Sequence, residues 1–418
     1  MVKKGKTKKL FYLSVISLII LLTGFLLVSG LNFKTSSRIN LSGCSTPIII
    51  SSDSLPQEIY DSNILYSKLI RNGNTISYEQ DKIYVWNIGP DHKPNTADDL
   101  NPVQINATGI ILTKLTGIDE DYGDLSPKIN NRYIVWASNY RGVGYNIKYV
   151  DMGVDGILDQ NEASNIIQIY SIPYAEMEIN SVSLKRNKVS FTYNTKLISI
   201  NQYPPKISFC DLNLTYGQSG ACFQNSVITF DSGAYNYSKM TGNSYAYNNP
   251  NSGTEVIFGE ITYSSPRDIY DLVSYSIFSW NQNSGINLIS NETELVDSHE
   301  FLGLAIVSYQ DKIYEYFYPG NIPGNLFQLS TGRSIAQYVK ANSRGSFSPN
   351  GNYLIAYTKA IGGIEGLYLA SFRGSGNQVE IQTPFRYSYR PFLDSSSSGN
   401  HIYTYQNNSI YYTQCFGI

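Results

Sequence analysis

The sequence predicts an all-β protein assembled from repeated antiparallel units, and three observations lead there. Aromatic residues make up 13% of the 418 positions, with 36 tyrosines, while charged residues supply only 15%. An ordinary soluble protein carries roughly a quarter charged residues, and Tyr, Ile, Val and Thr suit pleated, half-buried surfaces. Beyond residue 45 no stretch sustains a 3.6-residue apolar period. Short apolar runs instead end about every 8–12 residues in Gly, Asn, Pro or Asp clusters, the punctuation of strands and turns. The same figures exclude other classes. A disordered chain is charge-rich and aromatic-poor. A nucleic-acid binder carries a basic excess, but here 31 Lys+Arg face 33 Asp+Glu, a net charge of −2.

The chain opens with residues 1–9, which hold Lys3, Lys4, Lys6, Lys8 and Lys9. Residues 10–31 then run without one charge. As a helix they cover about 33 Å, enough for a hydrocarbon core of roughly 30 Å. A cleaved secretory signal has a shorter apolar region of ~7–15 residues and a small-residue cleavage site. The reading is a transmembrane signal-anchor with its lysine-rich end in the cytoplasm. A linker follows at 32–44, and 45–418 forms an extracytoplasmic body. Residues 41–44 (LSGC) resemble a bacterial lipoprotein cleavage box, but a polar spacer with Lys34 and Arg38 separates them from the apolar stretch.

Four cysteines fit an oxidising exterior. Cys210 and Cys222 flank eleven residues rich in Gly, Asn, Ser and Thr, a natural hairpin staple, while Cys44 and Cys415 lie at the two ends of the exported body. Of three possible pairings, this is the one in which both bonds have a structural role. Six N-x-S/T sites, at Asn40, Asn106, Asn213, Asn236, Asn291 and Asn407, permit glycosylation.

The body repeats a strand–turn–strand unit. It reads NTISYEQDKIYVW at 74–86, RYIVWAS at 132–138 continuing to YNIKYV at 145–150, and KVSFTY at 188–193 continuing to KISFC at 206–210. It returns as AIVSYQDKIYEY at 305–316, SFSPNGNYLIAYT at 346–358 with GLYLASF at 366–372, and HIYTY at 401–405 with SIYYT at 409–413. Four-stranded units spaced roughly 40–60 residues apart predict a β-propeller. Seven units fit near 65–106, 127–170, 180–230, 243–290, 300–330, 345–383 and 388–415, with six or eight blades as alternatives. The last is a strand short, and residues 46–51 form a lone strand that could complete it. Cys44 and Cys415 would lock that closure.

Residues 347–357 (FSPNGNYLIAY) resemble the FSPDGK-type turn of TolB-like propellers, with Asn350 in place of the usual Asp. Residues 127–136 (PKINNRYIVW), running on to NIKYVD at 146–151, are similar to a propeller repeat of prokaryotic surface proteins. The resemblance implies a propeller and leaves its activity open, because propellers host many functions.

The sharpest chemical signal is DMGVDGILDQNE at 151–162. Read as a twelve-residue Ca²⁺ loop, it offers Asp151, Asp155, the Ile157 carbonyl, Asp159 and Glu162 at positions 1, 5, 7, 9 and 12, with Gly156 at the turn. Gly153 at position 3 supplies no side-chain oxygen. A weaker copy, NIGPDHKPNTAD at 87–98, offers Asn87, Asp91, Asn95 and Asp98, with His92 in place of the turn glycine. The competing reading is an Asp/Asn/Gly-rich turn without metal.

Catalytic constellations are thin. His92, His299 and His401 share no metal-type spacing and read as solvated surface residues; no G-x-S-x-G elbow occurs. The acidic run at 119–124 is a solvated loop, or lines a cation site or a glycoside-hydrolase centre. The tyrosines pack between blades or form a sugar-binding face. Two functions remain: a membrane-anchored propeller that binds a surface protein or glycan, or a carbohydrate-active hydrolase or lyase using channel carboxylates. No small-molecule cofactor is indicated beyond Ca²⁺.

Overall fold

The computed structural model describes residues 43–416 apart from 73–74, 113–125, 140–143, 174–176, 196–204, 233–237, 241–244, 250–252, 266–267, 292–293, 299–303, 310–311, 318–325, 329–333, 342–352, 362–363, 374–376, 386–390 and 397–398. The expected anchor at 10–31, the acidic run 119–124, His299 and the resemblance-bearing segment 347–352 lie outside the described residues. No helix among the described residues is long and apolar enough to cross a membrane.

The described strands pair into seven antiparallel sheets, each built mainly from strands consecutive in sequence. The first joins Ser54–Tyr60, Asn63–Asn72, Lys82–Asn87 and Val103–Asn106. The second joins Ile110–Ile111, Tyr133–Asn139, Gly144–Asp151 and Ile167–Pro173. Four further sheets follow between Met177 and Gln382. The seventh contains Phe392–Ser396, Gly399–Gln406 and Ser409–Phe416. Each sheet touches the next, and the seventh touches the first. That closed succession is the arrangement of a β-propeller.

Closure draws on both ends of the body. Ile48–Ser52 and Gly43–Cys44 pair with Ser409–Phe416, with Cys44 opposite Cys415 in the register. The two cysteines are disulfide-bonded across 371 residues of sequence. Beside them, Ser45 N–H donates to the Gln414 carbonyl at 2.8 Å and the Thr413 hydroxyl donates to the Ser45 carbonyl at 2.6 Å. The hairpin feeding this strand turns at Asn407 and Asn408, both at positive φ (48° and 60°). That pair of angles defines a type I′ turn, which asparagine tolerates and β-branched residues do not.

The apolar runs are continuous because both faces of a sheet are buried. In YIVWA at 133–137, Tyr133, Val135 and Ala137 enter the core shared with the third sheet, while Ile134 and Trp136 enter the core shared with the first. Successive side chains of a strand point to opposite faces, so period-2 alternation here sorts residues between two cores rather than between core and water. Between the seventh and first sheets the core is aromatic: Tyr66, Tyr84, Tyr403 and Tyr412 pack with Ile59 and Ile64. These tyrosines are inter-sheet packing, not a sugar-binding face.

The second disulfide joins Cys210, on the strand Lys206–Asp211, to Cys222. It pins a short excursion whose backbone also returns to that strand, with Asp211 N–H donating to the Gly220 carbonyl at 2.8 Å. In the chain-entropy model a crosslink spanning hundreds of residues stabilises by about 5 kcal/mol or more, and one spanning a dozen by about 3. Cys44→Ser should therefore lower the melting temperature of the oxidised protein more than Cys222→Ser does. Equal or inverted losses in a non-reducing thermal melt would assign the closure to strand pairing alone.

Candidate functional site

The two Asp/Asn-rich loops have one local geometry. In the loop at 151–162, the Asp151 carboxylate accepts from Gly153 N–H at 2.9 Å and Asp155 from Ile157 N–H at 3.2 Å. In the loop at 87–98, Asn87 accepts from Gly89 N–H at 3.1 Å and Asp91 from Lys93 N–H at 2.8 Å. Both third-position glycines adopt positive φ, and a Cβ there would run into the twelfth-position carboxylate, Glu162 or Asp98. A side chain at position 3 is therefore strained in both loops, by the backbone conformation and by the carboxylate it would meet.

The remaining acids have protein partners. Arg132 grips Asp151 with two nitrogens, at 2.9 and 2.8 Å. Asp159 caps the short helix Gln160–Ser164 and forms a reciprocal capping box with Glu162, an arrangement that satisfies two orphan N–H groups of the first turn. In the other loop, Asn95 sits at positive φ with its N–H donating to Asp99, and Asp98 accepts from the Thr96 hydroxyl at 2.6 Å. Among the described residues, the His, Cys and acidic side chains that approach one another as a metal-sized group take only His92 from these loops, with Asp61 and Asp394 from outside them.

Turns from the first two sheets line an open pocket of about 380 Å³. Asp61 and Ser62 come from the first hairpin turn, and Asn87, Gly89 and His92 from the loop after Lys82–Asn87. Asn131, Asp155 and Ile157 come from the second sheet's turns. A buried amide ladder holds the two sets together. Asn87 donates to Asn63 at 3.0 Å, and Asn63 donates across to the Gly156 carbonyl at 3.0 Å. Gly156 is fixed as glycine, since a Cβ would lie 2.5 Å from the Asn131 carbonyl oxygen. The two calcium-like loops thus converge on one pocket, the 87–98 loop through positions 1–6 and the 151–162 loop through positions 5–7.

His92 closes one side of this cavity. Its Nδ1 lies 2.6 Å from Asp394 Oδ2 and its Nε2 lies 3.1 Å from Asp61 Oδ1. His401 stacks on it with ring centroids 5.8 Å apart, and His401 Nδ1 meets the Tyr412 hydroxyl at 2.9 Å. Asp394 and His401 are cross-strand partners in the seventh sheet. Both histidines are buried, at 7% and 0% exposure, which corrects the expectation of solvated surface histidines. They are 309 positions apart in sequence, so no local spacing could join them; ring closure does. The signal available was the misfit of His92 at the turn-glycine position, where it takes φ 58°.

Burial pushes the His401 pKa down from 6.5 to about 4, with Asp394 pulling the other way and His92 and Lys93 adding to the depression. Unfolding returns the imidazole to its ordinary value, so between about pH 6.5 and 4 the unfolded chain binds more protons. Stability from this group is complete above pH 6.5 and falls as pH drops through 4, by roughly 3 kcal/mol. His401→Gln should flatten that part of the melting-temperature profile. An unchanged slope between pH 6.5 and 4 would assign the acid sensitivity to other groups.

No family model and no curated protein matches this chain. Solved structures that resemble it include the β-propeller domain of the Trilobed protease from Pyrococcus furiosus, at 10% identity and TM-score 0.48, covering 88% of this chain and 94% of that one. The acylaminoacyl peptidase of Pyrococcus horikoshii is 11% identical with a TM-score of 0.48, over 88% of this chain and 52% of that one. The BP39L lectin from Burkholderia pseudomallei is 9% identical with a TM-score of 0.44, over 88% of this chain and 97% of that one.

Proposed function

We propose that this protein is a seven-bladed β-propeller held at the cell membrane by its 10–31 helix, which presents a glycan-binding cavity outside the cytoplasm. The composition of that cavity carries the reading. Asn131 offers an amide, Asp61 and Asp155 carboxylates, and Ser62 a hydroxyl, on a wall fixed by the Asn87–Asn63 ladder. Such groups pair with a ligand that both donates and accepts along its length, as vicinal hydroxyls do. Ile157 is the one large aliphatic side chain in the lining, whereas a protein partner is normally held by buried aromatic or aliphatic anchors. The volume falls within the ~300–1,000 Å³ typical of small-ligand sites.

Asn131 and Asp155 are exposed and hold no core contact, so they report on binding without unfolding the chain. On a glycan array, Asn131→Ala and Asp155→Ala should each weaken the best-bound oligosaccharide about tenfold, which is 1.4 kcal/mol. Retention of full affinity in both would move the site away from this cavity. Turnover of the bound oligosaccharide, lost in Asp61→Asn, would replace binding by the hydrolase or lyase alternative.

Calcium belongs to the same reading as a stabiliser of the 151–162 loop. Loading would draw on Asp151, Asp155, the Ile157 carbonyl, Asp159 and Glu162, and would have to displace Arg132 from Asp151 and open the capping box. The weaker loop would use Asn87, Asp91, Asn95 and Asp98. Calorimetric titration with Ca²⁺ should show binding that Asp155→Ala removes; absence of heat with the unaltered chain would remove calcium from the scheme and leave the glycan site standing.

A further inference from the structure

We infer that Asp61 and His92 form a site for a borderline divalent metal of the Zn²⁺ or Co²⁺ class, with Asp394 holding the imidazole from behind. A neutral imidazole carries one N–H and one lone pair. The 2.6 Å contact between His92 Nδ1 and Asp394 Oδ2 assigns the proton to Nδ1. In that neutral form the lone pair on Nε2 faces the Asp61 carboxylate at 3.1 Å, which is attractive only when a proton or a metal ion lies between the two atoms. Metal–nitrogen bonds of ~2.0–2.1 Å and metal–oxygen bonds of ~2.0–2.2 Å place two neighbouring ligand atoms about 3 Å apart. The two atoms therefore stand at ligand spacing without rearrangement.

Asp394 supplies a second, independent observation. It is fully buried, at 0% exposure, and its other oxygen, Oδ1, has no hydrogen-bond partner among the described residues. A buried carboxylate with an unsatisfied oxygen costs free energy unless a cation compensates it. Carboxylate–histidine–metal relays have this construction: the outer carboxylate fixes the tautomer and raises the basicity of the ligating nitrogen. Stacking of His401 on the His92 ring holds its plane. One nitrogen and one oxygen ligand suit Zn²⁺ or Co²⁺ better than Ca²⁺, which takes six to eight oxygens. His92 and Asp61 both line the cavity, so the open coordination positions face whatever occupies it. The site is independent of the glycan reading, since the metal alone is its probe.

The test uses the full chain in detergent, stripped with chelator and titrated with Co²⁺ at pH 7.5. One equivalent should bind with a visible ligand-field spectrum, and Zn²⁺ but not Ca²⁺ should displace it. Asp61→Asn should abolish the spectrum while keeping the fold, because asparagine accepts the positive φ of 56° at this position. His92→Asn, at φ 58°, should do the same. Asp394→Asn should weaken uptake 10–100-fold. No uptake by the unaltered chain would overturn the inference and leave His92 as an imidazolium between two carboxylates. So would a spectrum that survives Asp61→Asn with an unchanged melting temperature.

Discussion

The antiparallel pairing of Gly43–Cys44 and Ile48–Ser52 with Ser409–Phe416 is the contact on which the rest depends. The first, second and seventh sheets bury both faces, so each needs a neighbour on both sides. In an open row the first and last sheets would each expose an apolar face. Joining the two ends of the body in one sheet removes that exposure, and the aromatic core of Tyr66, Tyr84, Tyr403 and Tyr412 then forms between the seventh and first sheets. The Cys44–Cys415 disulfide makes the pairing covalent. Its loop is nearly the whole body, so in entropic terms it acts chiefly by constraining the unfolded chain.

Closure also builds chemistry. Asp61 and His92 leave from turns of the first sheet, while Asp394 and His401 belong to strands of the seventh. Their side chains meet only because those sheets are neighbours. The result is a row of ionisable groups, with His92 in direct contact with half-buried Asp61 and buried Asp394, and His401 stacked beside it. Such groups are expensive to bury, and their clustering beside a polar cavity is a physical reason to look for function there.

The paired loops show the opposite relation, in which local sequence already contained the local structure. The shared order of acceptors and glycines in 87–98 and 151–162 produces the same side-chain-to-backbone bonds in both, from position 1 to 3 and from 5 to 7. These are contacts over two residues, so spacing alone specifies them. What the loops do for the molecule is not local. Arg132 reaches Asp151 from the neighbouring strand, and Asn63 reaches Gly156 from another sheet, so neither partner is visible in either twelve-residue string.

By itself the sequence determined the all-β class, the repeated four-strand unit, the turn chemistry and the even cysteine count suited to two disulfides. Each of these rests on interactions within about a dozen residues or on composition, where side-chain alternation and glycine or asparagine backbone preferences act directly. It also set the continuous apolar runs, but not their meaning: that Ile134 and Val135 serve different cores follows from which sheets lie on either side. Tertiary structure alone decided which histidines are buried, that Asp394 faces His92 across 302 positions, and that two calcium-like loops border one cavity. The reason is geometric. A ring brings together residues whose separation in the chain approaches its full length, and no periodicity in the sequence encodes that meeting.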